Sequence, residues 1–95
     1  MIRSFASKDA LQLFNRNPET RLPSDIQRTA LRQLRMLNRA QTLQDLRVPP
    51  GNRLEALKGE RQGQHSIRIN ERWRICFRWE RGDAYEVEIV DYHRG

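Results

Sequence analysis

Arginines alternate with large apolar residues in one short stretch, RWRICFRWE at positions 72–80. Arg72, Arg74 and Arg78 occupy one set of alternate positions, and the other set is Trp73, Ile75, Phe77 and Trp79. Successive side chains of a strand point to opposite faces, so the alternation predicts a half-buried strand with a row of guanidinium groups on its outer face. Guanidinium binds phosphate or carboxylate oxygens in pairs. These residues could therefore hold an anion, or form an ordinary solvated surface.

A second group that could do chemistry is Asp91, Tyr92 and His93, near the end of the sequence. Cleavage of RNA by its own 2′-hydroxyl needs a base, positive charge on the phosphate, and an acid for the leaving oxygen. Histidine carries protons near neutral pH, and arginine can stabilise a phosphate as charge builds up on it. The same residues also fit a protein that does not cleave RNA. In that case Tyr92 lies at the rim of the surface and His93 has no catalytic role.

The segment LKGERQGQHSIRI (57–69) places Lys58 and Arg61 just before a predicted strand. Lys58 could be a second cation at the same groove, or an exposed loop lysine. We interpret His65 as structural, because no second histidine lies near it in sequence. The spacing of potential ligands does not match a metal site, so we expect neither a metal nor another cofactor.

The composition favours an anionic partner. Lysine and arginine number 18 against 12 acidic residues, which gives a net charge of +6, and lysine occurs only at Lys8 and Lys58. Nucleic acid and an acidic protein segment both fit this balance, and so does simple solubility. The single cysteine, Cys76, cannot form an internal disulfide, and there is no apolar span or signal peptide. We expect one cytoplasmic domain, residues 1–95, with no membrane contact.

Two helices are predicted before the strands. Residues 1–5 (MIRSF) are expected to form a short strand, and Ser7 or Asp9 to cap a short helix through about Asn15, with Leu11 and Phe14 on one side. A longer helix is predicted from Ser24 to about Ala40. Its apolar stripe is Ile26, Ala30, Leu34 and Leu37. Four arginines lie off the stripe and are interpreted as a solvated face: Arg28, Arg32, Arg35 and Arg39.

Four extended segments follow, at 54–57, 65–70, 72–80 and 84–93. Short connections between consecutive strands indicate an antiparallel meander, and helices before such a sheet indicate an α+β fold with helices packed on one sheet face. Alternation assigns these residues to the core face: Ile67, Ile69, Trp73, Ile75, Phe77, Trp79, Tyr85, Val87 and Ile89. It assigns these to the open face: Ser66, Arg68, Arg72, Arg74, Arg78, Glu86, Glu88 and Tyr92.

Two glutamates bear on the charge of the open face. Glu86 and Glu88 could lie opposite Arg74 and Arg78 as cross-strand ion pairs. Four arginines against two glutamates would still leave surplus positive charge for a phosphate backbone.

Residues 53–93 resemble the C-terminal half of HigB-type toxins, in the RelE/ParE superfamily of toxin–antitoxin modules. The most specific pieces are LKG, the GQHSIRIN–WRI–F block and the closing DYH; MIRSF and VPPGNRLEALKG also fit, so the resemblance covers nearly all of residues 1–93. It implies a compact RelE-like fold and a ribosome-dependent endoribonuclease that cuts mRNA in the A site. It also implies a HigA-type helix-turn-helix antitoxin, through which alone the toxin would contact operator DNA.

The resemblance also implies roles for individual residues. Arg74 of WRI matches an arginine that contacts the scissile phosphate, and Lys58 matches a basic residue of the active site. His93 or Tyr92 would handle protons, with Asp91 orienting one of them. The remaining cations predicted to bind RNA or the ribosome are Arg61, Arg68, Arg72 and Arg78.

The sequence departs from some relatives at two positions. Glu55 stands where they have a histidine, and Asn70 where they have an arginine, which leaves the general base and the codon preference open. Two other activities also remain open: ParE-like inhibition of DNA gyrase, and binding to RNA or the ribosome without catalysis.

Overall fold

The computed structural model describes residues 1–92. Its helices are α1 (Lys8–Phe14) and α2 (Ser24–Arg39), and its strands are β1 (Glu55–Ala56), β2 (Gln64–Arg68), β3 (Trp73–Glu80) and β4 (Asp83–Asp91). Short 3₁₀ turns cover Leu43–Arg47, Pro50–Asn52 and Gly59–Arg61. The α+β arrangement predicted from the sequence is confirmed. No helix in the described part of the chain is both long enough and apolar enough to cross a membrane.

Helix α1 begins where the sequence places a cap. The Ser7 hydroxyl accepts a hydrogen bond from the Ala10 amide at 3.2 Å. Ala10 and Leu13 are the buried residues of this helix, whereas Leu11 is 41% exposed. The sequence placed Leu11 and Phe14 on one side with Ala10 and Leu13 nearby; in the structure residues 10, 13 and 14 share the buried face and Leu11 lies beside it. Phe14 is partly buried against the core.

Helix α2 follows the predicted boundaries and buries the predicted stripe. Ile26, Ala30, Leu34 and Leu37 are each no more than 2% exposed, and they pack over one face of the sheet. The polar Gln33 on the same side donates from its amide to the Arg68 carbonyl at 2.6 Å, which ties the helix to the end of β2.

The four strands form an antiparallel sheet in the order β1-β2-β3-β4. Ile67, Ile75 and Ile89 lie opposite one another across three strands, so the register keeps one apolar face towards α2. The N-terminal segment lies parallel to β4 through two isolated bridges, Ile2 with Ala84 and Phe5 with Val87. The predicted strand at 1–5 is therefore reduced to these two bridges.

A β-bulge in β4 changes the predicted alternation. Cys76 is opposite Glu88, but Arg78 is opposite Tyr85, so β4 contains one extra residue between these pairs. Glu86 in the bulge has a φ of 54°, in the left-handed region. The extra residue moves Tyr85 to the face of Arg78, and Ala84 takes the core position. The assignment of Tyr85 to the core face is wrong for this reason.

Candidate active site

The open face of the sheet is covered at its centre. Ser66 and Cys76 are fully buried and Arg74 is 9% exposed, although all three point away from α2. The covering groups come from the connection that contains β1 and the 3₁₀ turn Gly59–Arg61, and from Tyr92 at the end of β4. The arginine in the middle of β3 is therefore part of a packed site and not part of a wet surface.

Arg74 is fixed by two short hydrogen bonds. Its Nε donates to the Ser66 hydroxyl at 2.7 Å, and one terminal nitrogen donates to the Arg53 carbonyl at 2.7 Å. The same terminal nitrogen lies 3.8 Å from a Glu55 carboxylate oxygen. A guanidinium has five N–H donors, so these contacts hold its plane and leave donors for a ligand.

A groove of about 400 Å³ opens beside Arg74. Its lining residues are Arg53, Glu55, Arg68, Asn70, Glu71, Arg74 and Tyr92. Arg68 and Arg74 are direct cross-strand partners, and like charges at that position destabilise a sheet unless something lies between them. Glu71, 4.0 Å from Arg68, is 92% exposed and gives weak compensation. An anion in the groove would relieve this repulsion.

Tyr92 forms one wall of the groove. The Tyr92 backbone amide donates to the Arg72 carbonyl at 2.6 Å, and the guanidinium carbon of Arg74 lies 5.9 Å from the centre of the Tyr92 ring. The phenol interacts with the buried Cys76 thiol, and burial raises the pKa of Tyr92 above its ordinary value of 10.0. The phenol therefore keeps its proton at neutral pH.

Arg61 closes the far side of the covered centre. One of its terminal nitrogens donates to Glu88 at 2.9 Å and to Gln64 at 3.1 Å. Burial raises the pKa of the Cys76 thiol beneath them, so Cys76 stays a thiol at neutral pH. Arg61 thus has a structural partner in Glu88, close to Tyr92.

The predicted cross-strand ion pairs are partly confirmed. Arg78 pairs with Glu86 at 2.6 Å, but Glu88 pairs with Arg61 and lies opposite Cys76 rather than Arg74. The expected surplus of unpaired charge on the sheet is wrong, because each sheet arginine has a carboxylate within 4.0 Å. The pairs are Arg68–Glu71, Arg72–Asp91, Arg74–Glu55 and Arg78–Glu86.

The other predicted site residues lie apart from the groove or outside the described chain. Lys58 is exposed at the start of a 3₁₀ turn and does not line the groove. Asp91 lies opposite Trp73 and pairs with Arg72 at 2.8 Å, so neither Asp91 nor Arg72 is a groove wall. His93 is outside the described residues. Arg78, paired with Glu86, also lies outside the groove.

No site role was predicted from the sequence for Ser66, which holds Arg74, or for four residues that line the groove: Arg53, Glu55, Asn70 and Glu71. Ser66 and the Arg53 carbonyl hold Arg74, and Glu55 places a carboxylate beside it. Alternation already placed Ser66 on the open face, two residues before Arg68, but not as a partner of Arg74. No pattern indicates the Arg53 carbonyl, because it depends on the path of the Pro-Pro-Gly connection.

The groove brings together a guanidinium, a carboxylate and a phenol. Arg74 offers fixed N–H donors, Glu55 is an acceptor 56% exposed to solvent, and Tyr92 is a protonated phenol. Within residues 1–92, no group of three or more histidine, cysteine, aspartate or glutamate side chains is placed to hold a metal ion.

Curated relatives are similar over nearly the whole chain. Residues 3–93 match the family described as the RelE-like toxin of type II toxin–antitoxin system HigB. Toxin HigB-1 of Vibrio cholerae serotype O1 is 41% identical over 95 residues, 99% of each chain. Endoribonuclease HigB of Proteus vulgaris is 35% identical over 94 residues, which cover 98% of this chain and all of that protein.

A solved structure shares the fold. A chain of the heterotetrameric YoeB–YefM toxin–antitoxin complex from Staphylococcus aureus superposes with a TM-score of 0.59 and 18% identity, covering 99% of both chains. At that identity the likeness concerns the fold alone. The family match over residues 3–93 and the two relatives place the chain in the HigB family of RelE-like toxins of type II toxin–antitoxin systems.

Proposed function

We propose that this HigB toxin is an endoribonuclease that cleaves mRNA in the ribosomal A site and so inhibits translation. The observation that carries the proposal is the fixed, nearly buried Arg74 at the floor of a groove that also presents a carboxylate and a protonated phenol. Two cross-strand arginines, Arg68 and Arg74, meet there. Their carboxylate neighbours Glu71 and Glu55 lie no closer than 3.8 Å, so both guanidinium groups keep N–H donors for a phosphate.

The chemistry would use the 2′-hydroxyl of the RNA as the nucleophile. The 2′ oxygen bonds to phosphorus while its proton passes to the Glu55 carboxylate, and Arg74 stabilises the charge that builds up on the phosphate oxygens. The bond from phosphorus to the 5′ oxygen breaks as that oxygen takes the phenol proton of Tyr92. The products are a 2′,3′-cyclic phosphate and a 5′-hydroxyl end.

Other predicted residues would act around this centre. His93 remains a candidate proton carrier, Asp91 a residue that orients the chain end, and Lys58 an assisting cation. Arg61, Arg68, Arg72 and Arg78 would contact RNA or the ribosome. A carboxylate and a phenol are weak proton-transfer groups for this reaction, so catalysis would depend on the ribosome to position the substrate.

The toxin would be neutralised by an antitoxin encoded with it. As a member of a type II toxin–antitoxin family the chain has an antitoxin partner, and we propose a HigA-type helix-turn-helix protein that alone contacts operator DNA. We further propose that the 95 residues form one domain that acts in the cytoplasm, where its mRNA and ribosomes are.

Primer extension on a defined mRNA in a reconstituted translation mix tests the proposal. The purified protein is assayed with ribosomes, without ribosomes, and as the Glu55→Gln variant. Cuts within codons that require ribosomes support it, and a cleavage rate reduced about 10²–10⁴-fold in Glu55→Gln supports the role of the carboxylate. Intact mRNA in a mix that translates, with growth arrest in cells, would point to gyrase; binding with intact RNA would point to a non-catalytic module.

A further inference from the structure

A buried pair of side-chain amides lies behind the Arg74 groove. Asn52 is the last residue of the 3₁₀ turn Pro50–Asn52 and is 2% exposed, and Gln33 of α2 is 4% exposed. The Gln33 Nε2 donates to the Asn52 Oδ1 at 3.3 Å. Neither residue lines the groove. Burial of neutral amides is unfavourable unless their hydrogen bonds are made, so the partners of this pair show what its burial serves.

The Asn52 side chain holds the connection that precedes β1. Its Nδ2 donates to the Leu46 carbonyl at 3.1 Å, and it lies 3.4 Å from the Val48 carbonyl and 3.2 Å from the Met36 sulfur. The Asn52 backbone amide donates to the Pro49 carbonyl at 3.0 Å. One side chain therefore joins the two ends of this turn to each other and to α2.

The residue after Asn52 supplies the carbonyl that holds Arg74. Arg53 has a φ of 47°, in the left-handed region, and its backbone amide donates to the Pro50 carbonyl at 3.0 Å. In this conformation the Arg53 carbonyl accepts from the Arg74 terminal nitrogen at 2.7 Å. A residue other than glycine keeps such a conformation only where the surrounding structure imposes it. The fixed side chain of Asn52, one residue earlier, is such a constraint.

Gln33 joins the same amide pair to the other arginine of the groove floor. Its Nε2 also donates to the backbone carbonyl of Arg68, the last residue of β2, at 2.6 Å. Arg68 and Arg74 are cross-strand partners. The amide pair therefore holds the backbone of Arg68 directly and that of Arg53 through the turn.

We propose that Asn52 is a positioning residue for RNA cleavage, which acts on the reaction through the Arg53 carbonyl and the guanidinium plane of Arg74. Its effect on cleavage rests on the proposed function, whereas the step from Asn52 to Arg74 does not. A residue with a structural role alone would change stability and leave the rate of the folded protein unchanged. A positioning residue lowers the rate of the folded protein, because a displacement of about 1 Å can cost about 10²-fold.

The test compares Asn52→Ala with Leu13→Ala, which alters a buried residue of α1 that does not line the groove. Both variants should lose stability, so they are measured at a temperature at which each is folded. Asn52→Ser, a smaller change, replaces Asn52→Ala if that variant does not fold. The first measurement is the rate at which the guanidinium N–H protons of Arg74 exchange with water, followed by NMR. Their resonances are assigned by their absence from Arg74→Lys.

We expect exchange at least about tenfold faster in the Asn52 variant than in wild type, the factor that corresponds to the loss of one ordinary hydrogen bond. Exchange in Leu13→Ala should stay close to wild type. This measurement needs neither ribosomes nor mRNA, so it tests the step from Asn52 to Arg74 separately from the proposed reaction.

The second measurement is kcat and KM for mRNA cleavage on ribosomes. The Asn52 variant should lower kcat by about 10²-fold with KM little changed, and Leu13→Ala should stay near wild type. In the Arg74→Lys background the Asn52 substitution should lower the rate no further, because the guanidinium through which it acts is gone.

Unchanged Arg74 exchange in a folded Asn52 variant overturns the proposal. Equal acceleration of exchange in Leu13→Ala, or a full additional loss of rate in the Arg74→Lys background, overturns it as well. Faster exchange in the Asn52 variant, combined with a wild type that does not cleave mRNA, would reject the proposed endoribonuclease function while the link from Asn52 to Arg74 stands.

Discussion

Arg74 is the residue on which the proposed chemistry depends, and it is also part of the packing. Its two 2.7 Å hydrogen bonds join β3 to β2 and to the Arg53 carbonyl. Because Arg74 contributes to both the proposed chemistry and the packing, its removal should also affect the structure. Activity lost in an alanine variant must therefore be separated from stability lost in the same variant.

Arg74→Ala should lower the free energy of unfolding by about 1–3 kcal/mol, because it leaves the Ser66 hydroxyl and the Arg53 carbonyl without their partner. Arg78→Ala on the same strand breaks an exposed pair with Glu86 and should cost about 0–1 kcal/mol. Urea unfolding of both variants measures the difference. Equal costs for the two would contradict the burial and bonding described for Arg74.

Tyr92→Phe should lower the cleavage rate by about 10²–10⁴-fold while the protein stays folded, because only the contact of the phenol with Cys76 is lost from the packing. Phenylalanine keeps the ring beside the Arg74 guanidinium but lacks the phenol proton. Tyr85→Phe is the matched control, because Tyr85 lies opposite Arg78 and does not line the groove. Full activity of Tyr92→Phe would remove the phenol from the mechanism.

His65 should make the fold sensitive to mild acid. Its ring stacks on Phe77, Nδ1 is buried without a hydrogen-bond partner within residues 1–92, and burial lowers the pKa of His65 below its ordinary value of 6.5. At a pH below about 6.5 the unfolded chain binds a proton at His65, whereas the folded chain binds it less readily. The free energy of unfolding is therefore highest above this pH and falls as the pH drops below it.

The measurement is the free energy of unfolding at about pH 7.5 and at about pH 5.5. Wild type should lose stability between them, and His65→Phe should lose less because its ring cannot titrate. His93→Gln serves as the control for the other histidine. A pH dependence unchanged in His65→Phe would refute this account of His65.

At the scale of elements, α1 tests how well periodicity defines a short helix. Leu13 is 5% exposed and Leu11 is 41% exposed, although both are leucines of a seven-residue helix. Leu13→Ala should cost about 2–5 kcal/mol of stability, whereas Leu11→Ala should cost less than about 1 kcal/mol. Thermal or urea unfolding distinguishes them, and a larger cost at Leu11 would favour the face expected from the sequence.

The elements were predictable where one periodicity dominates. Helix α2 has its apolar stripe on one side, and β3 has strict alternation, so the boundaries and faces of both follow from the sequence. The bulge at Glu86 did not, because no glycine marks it and a glutamate takes the left-handed conformation. Strict alternation, continued through Glu86 without the bulge, placed Tyr85 on the wrong face of the sheet.

The site was predictable in part for a similar reason. Alternation brings Arg74 and Arg68 to one face, and the parity of β4 adds Tyr92. The burial of Arg74 depends on Arg53 and Glu55, which reach it from a non-repetitive connection with no pattern of its own. Lys58 precedes the 3₁₀ turn Gly59–Arg61 and is exposed. The residues next to it in the sequence do not indicate on which side of the groove its side chain lies.

At the scale of the molecule, the positive charge is divided between two sides with different surroundings. The arginines of the sheet each have a carboxylate within 4.0 Å, whereas within residues 1–92 the arginines on the outer side of α2 have no ion-pair partner; these are Arg28, Arg32, Arg35 and Arg39.

The measurement that tests the central claim most directly is the rate of mRNA cleavage on ribosomes by Arg74→Lys, compared with Arg78→Lys. Both keep the charge, but lysine cannot reproduce the fixed guanidinium plane beside the groove. We predict a rate about 10²–10³-fold below wild type for Arg74→Lys and a rate near wild type for Arg78→Lys. A fully active, folded Arg74→Lys protein would contradict the assignment of the groove as the site of phosphodiester cleavage.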